Sequence, residues 1–107
     1  MKRVFICARL TENMEADIRQ ARSYATFALD QGVAPILPQC YANLARGSLQ
    51  ERIAFAQKAG LSLVWMCDEC WVFGEPTQDM KEIIHFCRSL NVGLRQFATD
   101  ENGGIVL

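Results

Sequence analysis

Two kinds of hydrophobic pattern alternate along the chain, and together they predict an α/β fold. Short apolar runs bounded by turn residues are typical of strands, whereas longer segments with apolar residues at intervals of three or four are typical of helices. The first run, Arg3 to Ala8, is apolar at each position from Val4 to Cys7. Such a strand is covered by helices on both faces, so we expect it at the centre of a parallel sheet.

The rest of the chain continues this alternation. Thr11 is a candidate cap for the first helix, Gly32 ends that helix, and Ser48 with Glu51 forms a capping box for the second. The predicted helices cover residues 12–31, 48–67 and 77–90. The further predicted strands cover residues 34–37, 70–73 and 92–97, with a weak fifth strand over residues 103–107. Residues 39–47 show no clear period and are predicted to form a loop that acts as a lid.

These elements predict a particular architecture. Strand–helix repeats with short connections and right-handed crossovers give a small flavodoxin-like three-layer sandwich. Its parallel sheet would have four or five strands in the order 2-1-3-4(-5). Ligands in such folds bind at the carboxyl ends of the strands. The candidate site is therefore formed by residues 8–11, by residues 38–41 with the loop that follows them, and by residues 74–79.

The composition is that of one globular domain. The chain has 107 residues and a mass of 12.1 kDa, and half of its residues are apolar. This length suits a single core. A net charge of -1 lacks the basic excess that binds duplex nucleic acid, so we expect no such partner. No apolar run approaches the ~20 residues of a membrane span, and the N-terminal run is too short for a signal peptide. We therefore expect a cytoplasmic protein that does not bind membranes.

The cysteines are expected to be reduced and buried. There are five, an odd number, in a chain without an export signal. Cys67 and Cys70 have the C-x-x-C spacing of redox and zinc sites, but they close a helix before a strand, the reverse of the redox arrangement. Zinc requires three or four ligands, and the chain has only one His beside its scattered thiols. We expect neither a metal site nor another cofactor.

Charged residues near the predicted strand ends are candidates for ligand binding. Arg9 follows the central strand, where a planar guanidinium suits a phosphate or carboxylate; the alternative is a solvated arginine. Arg46, in the predicted lid, would add a second cation. Glu75, Asp79 and Glu82 cluster near the start of the third helix. Such carboxylates can divide acid and base roles or bind sugar hydroxyls, although capping and the helix dipole also explain Glu75 and Asp79.

Several segments resemble, in order and spacing, a known family. They span residues 3–97 and include VFICARL, APILPQCY, ERIAFAQKAGL, CDECWVFG and TQDMKEIIHF. These segments resemble small, largely uncharacterised bacterial and phage domains related to the nucleoside 2-deoxyribosyltransferases. The resemblance implies a single flavodoxin-like domain over residues 1–107, with a nucleoside or nucleotide pocket at the strand ends.

Three departures from the family pattern bear on function. Relatives have Ser-Pro-Tyr after the first strand, where residues 8–10 of this chain are Ala-Arg-Leu. They have a His where this chain has Gln39. In the transferases a glutamate on the last helix attacks the sugar, and the matching position is Ile83. Glycosyl transfer needs a carboxylate at the anomeric carbon, and Glu82 lies ~100° away around the helix.

We therefore interpret the chain as a nucleoside- or nucleotide-binding protein on a deoxyribosyltransferase-like scaffold that lacks the usual nucleophile. Arg9 would contact a phosphate, and Gln39 or Tyr41 the base or sugar. Since relatives are often phage-encoded, such binding would suit sequestration of a nucleotide signal. One alternative is hydrolysis or transfer at an N-glycosidic bond by Glu75, Asp79 or Glu82, and another is a homo-oligomer that pairs through residues 103–107. The expected ligand-binding residues are Ala8, Arg9, Leu10, Gln39, Tyr41, Arg46, Gly74, Glu75, Thr77 and Asp79.

Overall fold

Four parallel strands form the sheet, and helices connect them on both faces. The computed structural model describes all 107 residues. The strands are β1 (Arg3–Cys7), β2 (Ala34–Ile36), β3 (Glu69–Phe73) and β4 (Gly93–Phe97). They lie in the order β2-β1-β3-β4, and every neighbouring pair is parallel. This confirms the predicted flavodoxin-like order, in which β1 and β3 are the central strands.

The connections contain four α-helices and two short 3-10 turns. The helices are α1 (Met14–Asp30), α2 (Tyr41–Leu44), α3 (Leu49–Leu63) and α4 (Gln78–Ser89), and the 3-10 turns are Pro38–Cys40 and Val64–Met66. The predicted capping box is present at α3. The Ser48 hydroxyl accepts a hydrogen bond from the Glu51 amide, and the Glu51 carboxylate accepts one from the Ser48 amide. This pair satisfies two amides that the first turn leaves without partners.

No helix combines the length and the apolar character that a bilayer crossing demands.

Helix α1 begins two residues later than predicted because Thr11 has another role. Asn13 occupies its N-cap position, and no side chain caps the helix. The Thr11 hydroxyl instead accepts a hydrogen bond from the Asn13 amide at 3.2 Å and donates one to Asp17 at 2.6 Å. Side-chain hydrogen bonds therefore order the connection from β1 to α1.

The predicted lid is wrong, because residues 39–47 contain packed structure. The chain forms a 3-10 turn and α2 here, and Ala42 is fully buried in a cluster with Ile18 of α1 and Ile53 of α3. The segment after it also differs from the prediction, since α3 ends at Leu63 and a 3-10 turn replaces its expected last turn.

Residues 103–107 do not form the predicted fifth strand of the sheet. They turn back on the preceding residues, with an antiparallel bridge between Thr99 and Ile105. Backbone hydrogen bonds from Asp100 to Gly104 and from Val106 to Ala98 complete this turn. We call residues 98–106 the C-terminal hairpin.

Alternate side chains of β1 face the two helical layers. Val4 and Ile6 lie in a cluster with residues of α1, whereas Phe5 and Cys7 lie in a cluster with residues of α4. All four are fully buried. This arrangement explains why apolar residues occur at consecutive positions in β1.

A stack of aromatic rings fills the α1 side of the sheet. Phe73 of β3 lies between Tyr24 of α1, with ring centroids 4.2 Å apart, and Phe97 of β4, at 5.0 Å. Both pairs are nearly parallel. Stacked aromatic pairs contribute roughly 0.5–1.5 kcal/mol beyond the area that they bury. The stack therefore connects α1 to β3 and β4.

Replacing Phe73 with leucine should lower the free energy of unfolding by about 1–3 kcal/mol, because two stacked pairs are lost while most of the apolar volume is kept. Phe55 is half exposed on α3. The same substitution there, Phe55→Leu, should change stability by less than about 0.5 kcal/mol. Urea unfolding followed by circular dichroism measures both values, and equal losses would contradict the role of the stack.

Candidate functional site

The turns that follow β1 and β3 lie side by side at the carboxyl edge of the sheet. In the observed strand order, the chain crosses from β1 to one side of the sheet and from β3 to the other. A crevice forms where the direction reverses, and this is the usual ligand site of such folds. Here the crevice contains a cavity of about 170 Å³, which we call the carboxyl-edge pocket. Its walls are Ala8 and Arg9 after β1, Gly74 and Glu75 after β3, one face of α1, and the C-terminal hairpin.

Asp17 is a buried carboxylate of this pocket that accepts three hydrogen bonds. Its side chain is only 1% exposed. One carboxylate oxygen accepts hydrogen bonds from the Thr11 amide at 2.8 Å and the Thr11 hydroxyl at 2.6 Å. The other accepts a hydrogen bond from Nε of Arg9 at 3.1 Å. A buried carboxylate is tolerated only when it is paired and hydrogen-bonded, and Asp17 meets both conditions.

Sequence reasoning missed Asp17, although the sequence carried a signal. Asp17 stands on the same stripe of α1 as Met14, Ile18 and Ala21, all of which are buried. A carboxylate in the apolar stripe of a helix requires a buried partner.

The Asp17 carboxylate orients Arg9 at the mouth of the pocket. The Arg9 side chain is 67% exposed, and only its Nε is bonded within the chain. Its terminal nitrogens therefore face outward and can meet a ligand. However, Asp17, Glu75, Asp100 and Glu101 also line the pocket, so its lining contains four carboxylates and one guanidinium. This balance is unfavourable for a phosphate.

A second, much smaller crevice lies on the α4 side of Ala8. It has a volume of about 20 Å³, close to that of a single water molecule, and it is lined mostly by apolar side chains. Ile83 is buried in its wall. We call it the Ile83 crevice. The position that corresponds by resemblance to the transferase nucleophile thus carries an aliphatic side chain in a space too small for a sugar.

Gln39 closes the Ile83 crevice from the β2 side. It is buried, and its Nε2 donates hydrogen bonds to the carbonyls of Ile6 at 3.1 Å and Ala8 at 3.3 Å. Its Oε1 has no hydrogen-bond partner. Since both N–H groups of the Gln39 amide bind carbonyls at or just after the end of β1, Gln39 holds the end of that strand in place.

The residues predicted for the site are therefore divided among several places. The carboxyl-edge pocket brings together Ala8, Arg9, Gly74 and Glu75. The Ile83 crevice is lined by Ala8, Leu10, Gln39 and Asp79. Outside both cavities are Tyr41, in an apolar groove beside β2; Thr77, whose hydroxyl caps α4; and Arg46 and Glu82, which are exposed.

Gly74 allows the hairpin to approach the β3 turn. Its φ of +79° lies in the left-handed region, and a Cβ at this position would lie 2.9 Å from Oγ1 of Thr99. Glycine is therefore required both by the backbone conformation and by the close contact.

A wider groove of about 700 Å³ lies elsewhere, between α1, α2 and α3. It is shallow and none of its walls comes from a strand end. Two of its arginines already have partners, since Arg19 pairs with Glu15 at 3.6 Å and Arg52 donates to the Ala42 carbonyl at 2.8 Å. The carboxyl-edge pocket is the better candidate, because it combines depth with convergent polar groups.

The thiols lie inside the protein. Cys7, Cys67, Cys70 and Cys87 are buried, and Cys40 is partly exposed. Burial raises the pKa of Cys67 to about 11. Hydrogen bonding with Cys7 raises the pKa of Cys70, and hydrogen bonding with Cys70 raises that of Cys87. These three groups are protonated at neutral pH, and no set of three or more His, Cys, Asp or Glu side chains is arranged to hold a metal ion.

The fold and the crevice define an α/β domain of the flavodoxin-like class, with its candidate ligand site at the point where strand order reverses. The chain belongs to the family described as a domain of unknown function (DUF7768), whose model matches residues 2–97. Comparison with curated proteins finds no match.

Among solved structures, the chain is similar to a 2-desoxiribosyltransferase from Leishmania mexicana. The TM-score is 0.67, and the alignment covers all of this chain and 79% of the other at 13% sequence identity. At this identity the likeness shows a shared fold. The relation to deoxyribosyltransferases inferred from sequence segments is thus confirmed for the fold.

Substituting Asp17 with asparagine should destabilise the protein by about 1–3 kcal/mol, because an amide donor would replace an oxygen that faces N–H or O–H donors. The free energy of unfolding in urea measures the effect. Glu15→Gln, at a largely exposed position on the same helix, is the matched control and should change stability by less than about 0.5 kcal/mol. A loss no larger than that of the control would contradict the structural role of Asp17.

In the native protein, only Cys40 should react rapidly with a thiol reagent such as DTNB, since the other four thiols are buried. Cys40→Ser should abolish the rapid phase, and guanidinium chloride should expose all remaining thiols. Rapid modification of Cys67 or Cys70, identified by peptide mass spectrometry, would show that the C-x-x-C segment is accessible and reactive.

Proposed function

We propose that this protein binds a nucleoside in the carboxyl-edge pocket and does not cleave its glycosidic bond. The observation that carries the proposal is the arrangement of polar groups around that pocket. Asp17 holds Arg9 in place, Glu75 faces the same space, and Gln20 adds an amide oxygen from α1. Carboxylates and amides of this kind bind sugar hydroxyls and the amino or ring N–H groups of a base.

The similarity to deoxyribosyltransferases supports a nucleoside as the class of ligand. The sequence segments resemble nucleoside-handling domains, and the fold matches a solved 2-desoxiribosyltransferase over the whole chain. The charge of the pocket favours an uncharged ligand within this class. Because four carboxylates line the pocket together with Arg9, an uncharged nucleoside fits better than the nucleotide that Arg9 alone suggests.

The surroundings of Ile83 support binding without cleavage. Transfer or hydrolysis needs a carboxylate beside the anomeric carbon. Ile83 is buried in a crevice of about 20 Å³, and Glu82 is exposed on the other side of α4. Binding without turnover is also what sequestration of a nucleoside would require.

The enzymatic alternative has one favourable observation, since Glu75 lies in the carboxyl-edge pocket near the buried Asp17. In that case Glu75 would act on the ligand directly. The oligomer alternative relied on residues 103–107 as a free edge. The Gly103 carbonyl, however, is bound within the chain by Tyr24.

The test is a thermal-shift screen against ribo- and 2′-deoxynucleosides and their 5′-monophosphates, followed by calorimetry of each hit. A ligand at about 100 times its Kd adds ~2.7 kcal/mol of stability. We expect a nucleoside to bind about tenfold or more tightly than its monophosphate. No stabilisation by any nucleoside would overturn the proposal.

Two matched variants locate the site and separate binding from catalysis. Glu75→Gln should weaken nucleoside binding by about tenfold, since hydrogen bonds to charged groups contribute ~1.5–3 kcal/mol. Glu82→Gln, on the exposed face of α4, should leave Kd unchanged. Chromatography of each incubation should show no free base; release of base that Glu75→Gln abolishes would instead establish the enzymatic alternative.

A further inference from the structure

The C-terminal hairpin forms one wall of the carboxyl-edge pocket. Four of the twelve residues that line the pocket belong to it: Thr99, Asp100, Glu101 and Gly103. The family model ends at residue 97, where β4 also ends. The hairpin therefore lies outside the four-stranded sheet and the helices that form the rest of the pocket.

Two side chains of α1 fix the position of this wall. The Gly103 carbonyl accepts hydrogen bonds from the Tyr24 hydroxyl at 2.6 Å and from Nε2 of Gln20 at 2.9 Å. Burial raises the pKa of Tyr24, which keeps the hydroxyl protonated as a donor. Gly103 has a φ of +82°, and a Cβ there would lie 2.8 Å from the Gln20 side chain. The close approach of hairpin and helix thus depends on glycine.

The two carboxylates of the hairpin differ in their contacts. Oδ1 of Asp100 accepts hydrogen bonds from the amides of Asn102 and Gly104, both at 2.9 Å, and so shapes the turn. Glu101 lines the pocket, is exposed, and makes no hydrogen bond or ion pair within the chain. Its charge is therefore available to act on a ligand.

We propose that the C-terminal hairpin is the specificity-determining element of the pocket and selects an uncharged nucleoside over its phosphate. This inference rests on the proposed function. Without the hairpin, the negative charge of Asp17 would offset the positive charge of Arg9. Glu75 would then be the only further charged residue of the pocket. The hairpin adds two further carboxylates to the lining of the pocket, and Tyr24 and Gln20 fix the backbone of the hairpin that carries them.

The experiment compares the Kd of one nucleoside with that of its 5′-monophosphate for the unaltered protein and four variants. Glu101→Gln should lower the ratio of monophosphate Kd to nucleoside Kd by about threefold or more, and more strongly at low salt. Glu15→Gln, which removes an exposed charge that does not line the pocket, is its control and should leave the ratio unchanged.

The second pair of variants tests the anchoring of the hairpin. Tyr24→Phe removes the hydroxyl that holds Gly103 but keeps the ring, and it should weaken nucleoside binding by about three- to tenfold. Tyr41→Phe, in the groove beside β2, should have no effect. Because Tyr24 is buried, circular dichroism and thermal melting must show that Tyr24→Phe is folded. The exposed Glu101 provides a test that does not depend on this condition.

The outcomes separate the two proposals. If the unaltered protein binds no nucleoside, the proposed function and this inference both fail. The unaltered protein could instead bind a nucleoside while Glu101→Gln and Tyr24→Phe both keep the same nucleoside Kd and the same ratio of monophosphate Kd to nucleoside Kd. In that case only the inference about the hairpin fails. A lowered ratio in Glu101→Gln, with Glu15→Gln unchanged, supports the hairpin as the element that discriminates.

Discussion

The complete burial of Val4 to Cys7 in β1 is the constraint on which the rest of the structure depends. Val4, Phe5, Ile6 and Cys7 have no exposed surface, and they point alternately to the two sides of the sheet. Both sides must then be covered by helices, because a parallel sheet cannot leave apolar side chains in water. Helix α1 covers one side and α4 the other. The two crossovers diverge as a result, and a crevice opens beside the carboxyl ends of β1 and β3.

The chemistry of that crevice follows from one buried carboxylate. Asp17 lies in the apolar stripe of α1, so it must be paired and hydrogen-bonded where the helix meets the sheet. Arg9 and Thr11, both on the turn after β1, satisfy it. The same bonds that stabilise the carboxylate therefore order the turn and direct the guanidinium. This explains why Arg9 can be exposed and still have a defined orientation.

The departures from the transferase pattern form a consistent set. Ile83 is buried in a small apolar crevice, and Gln39 uses both its donor hydrogens on the carbonyls of β1. Together they occupy the space on the α4 side of Ala8, so the room for a ligand lies on the α1 side. There the polar groups are contributed by α1, the two strand ends and the hairpin. The protein shares the fold of the solved transferase, and the larger of its two cavities at the strand ends lies on the α1 side.

The sequence by itself determined the strand order and the three long helices, because these depend on periodic patterns that record which faces are buried. It also placed Arg9 and Glu75 at the carboxyl edge of the sheet, where both line the pocket, but it predicted neither Asp17 there, nor α2, nor the hairpin. Those depend on contacts between distant parts of the chain, such as the hydrogen bond between Tyr24 and Gly103, 79 residues apart. No local pattern encodes such a contact. Only the packed tertiary structure decides which polar groups meet, since burial creates the need for a partner and the fold determines which partner is within reach.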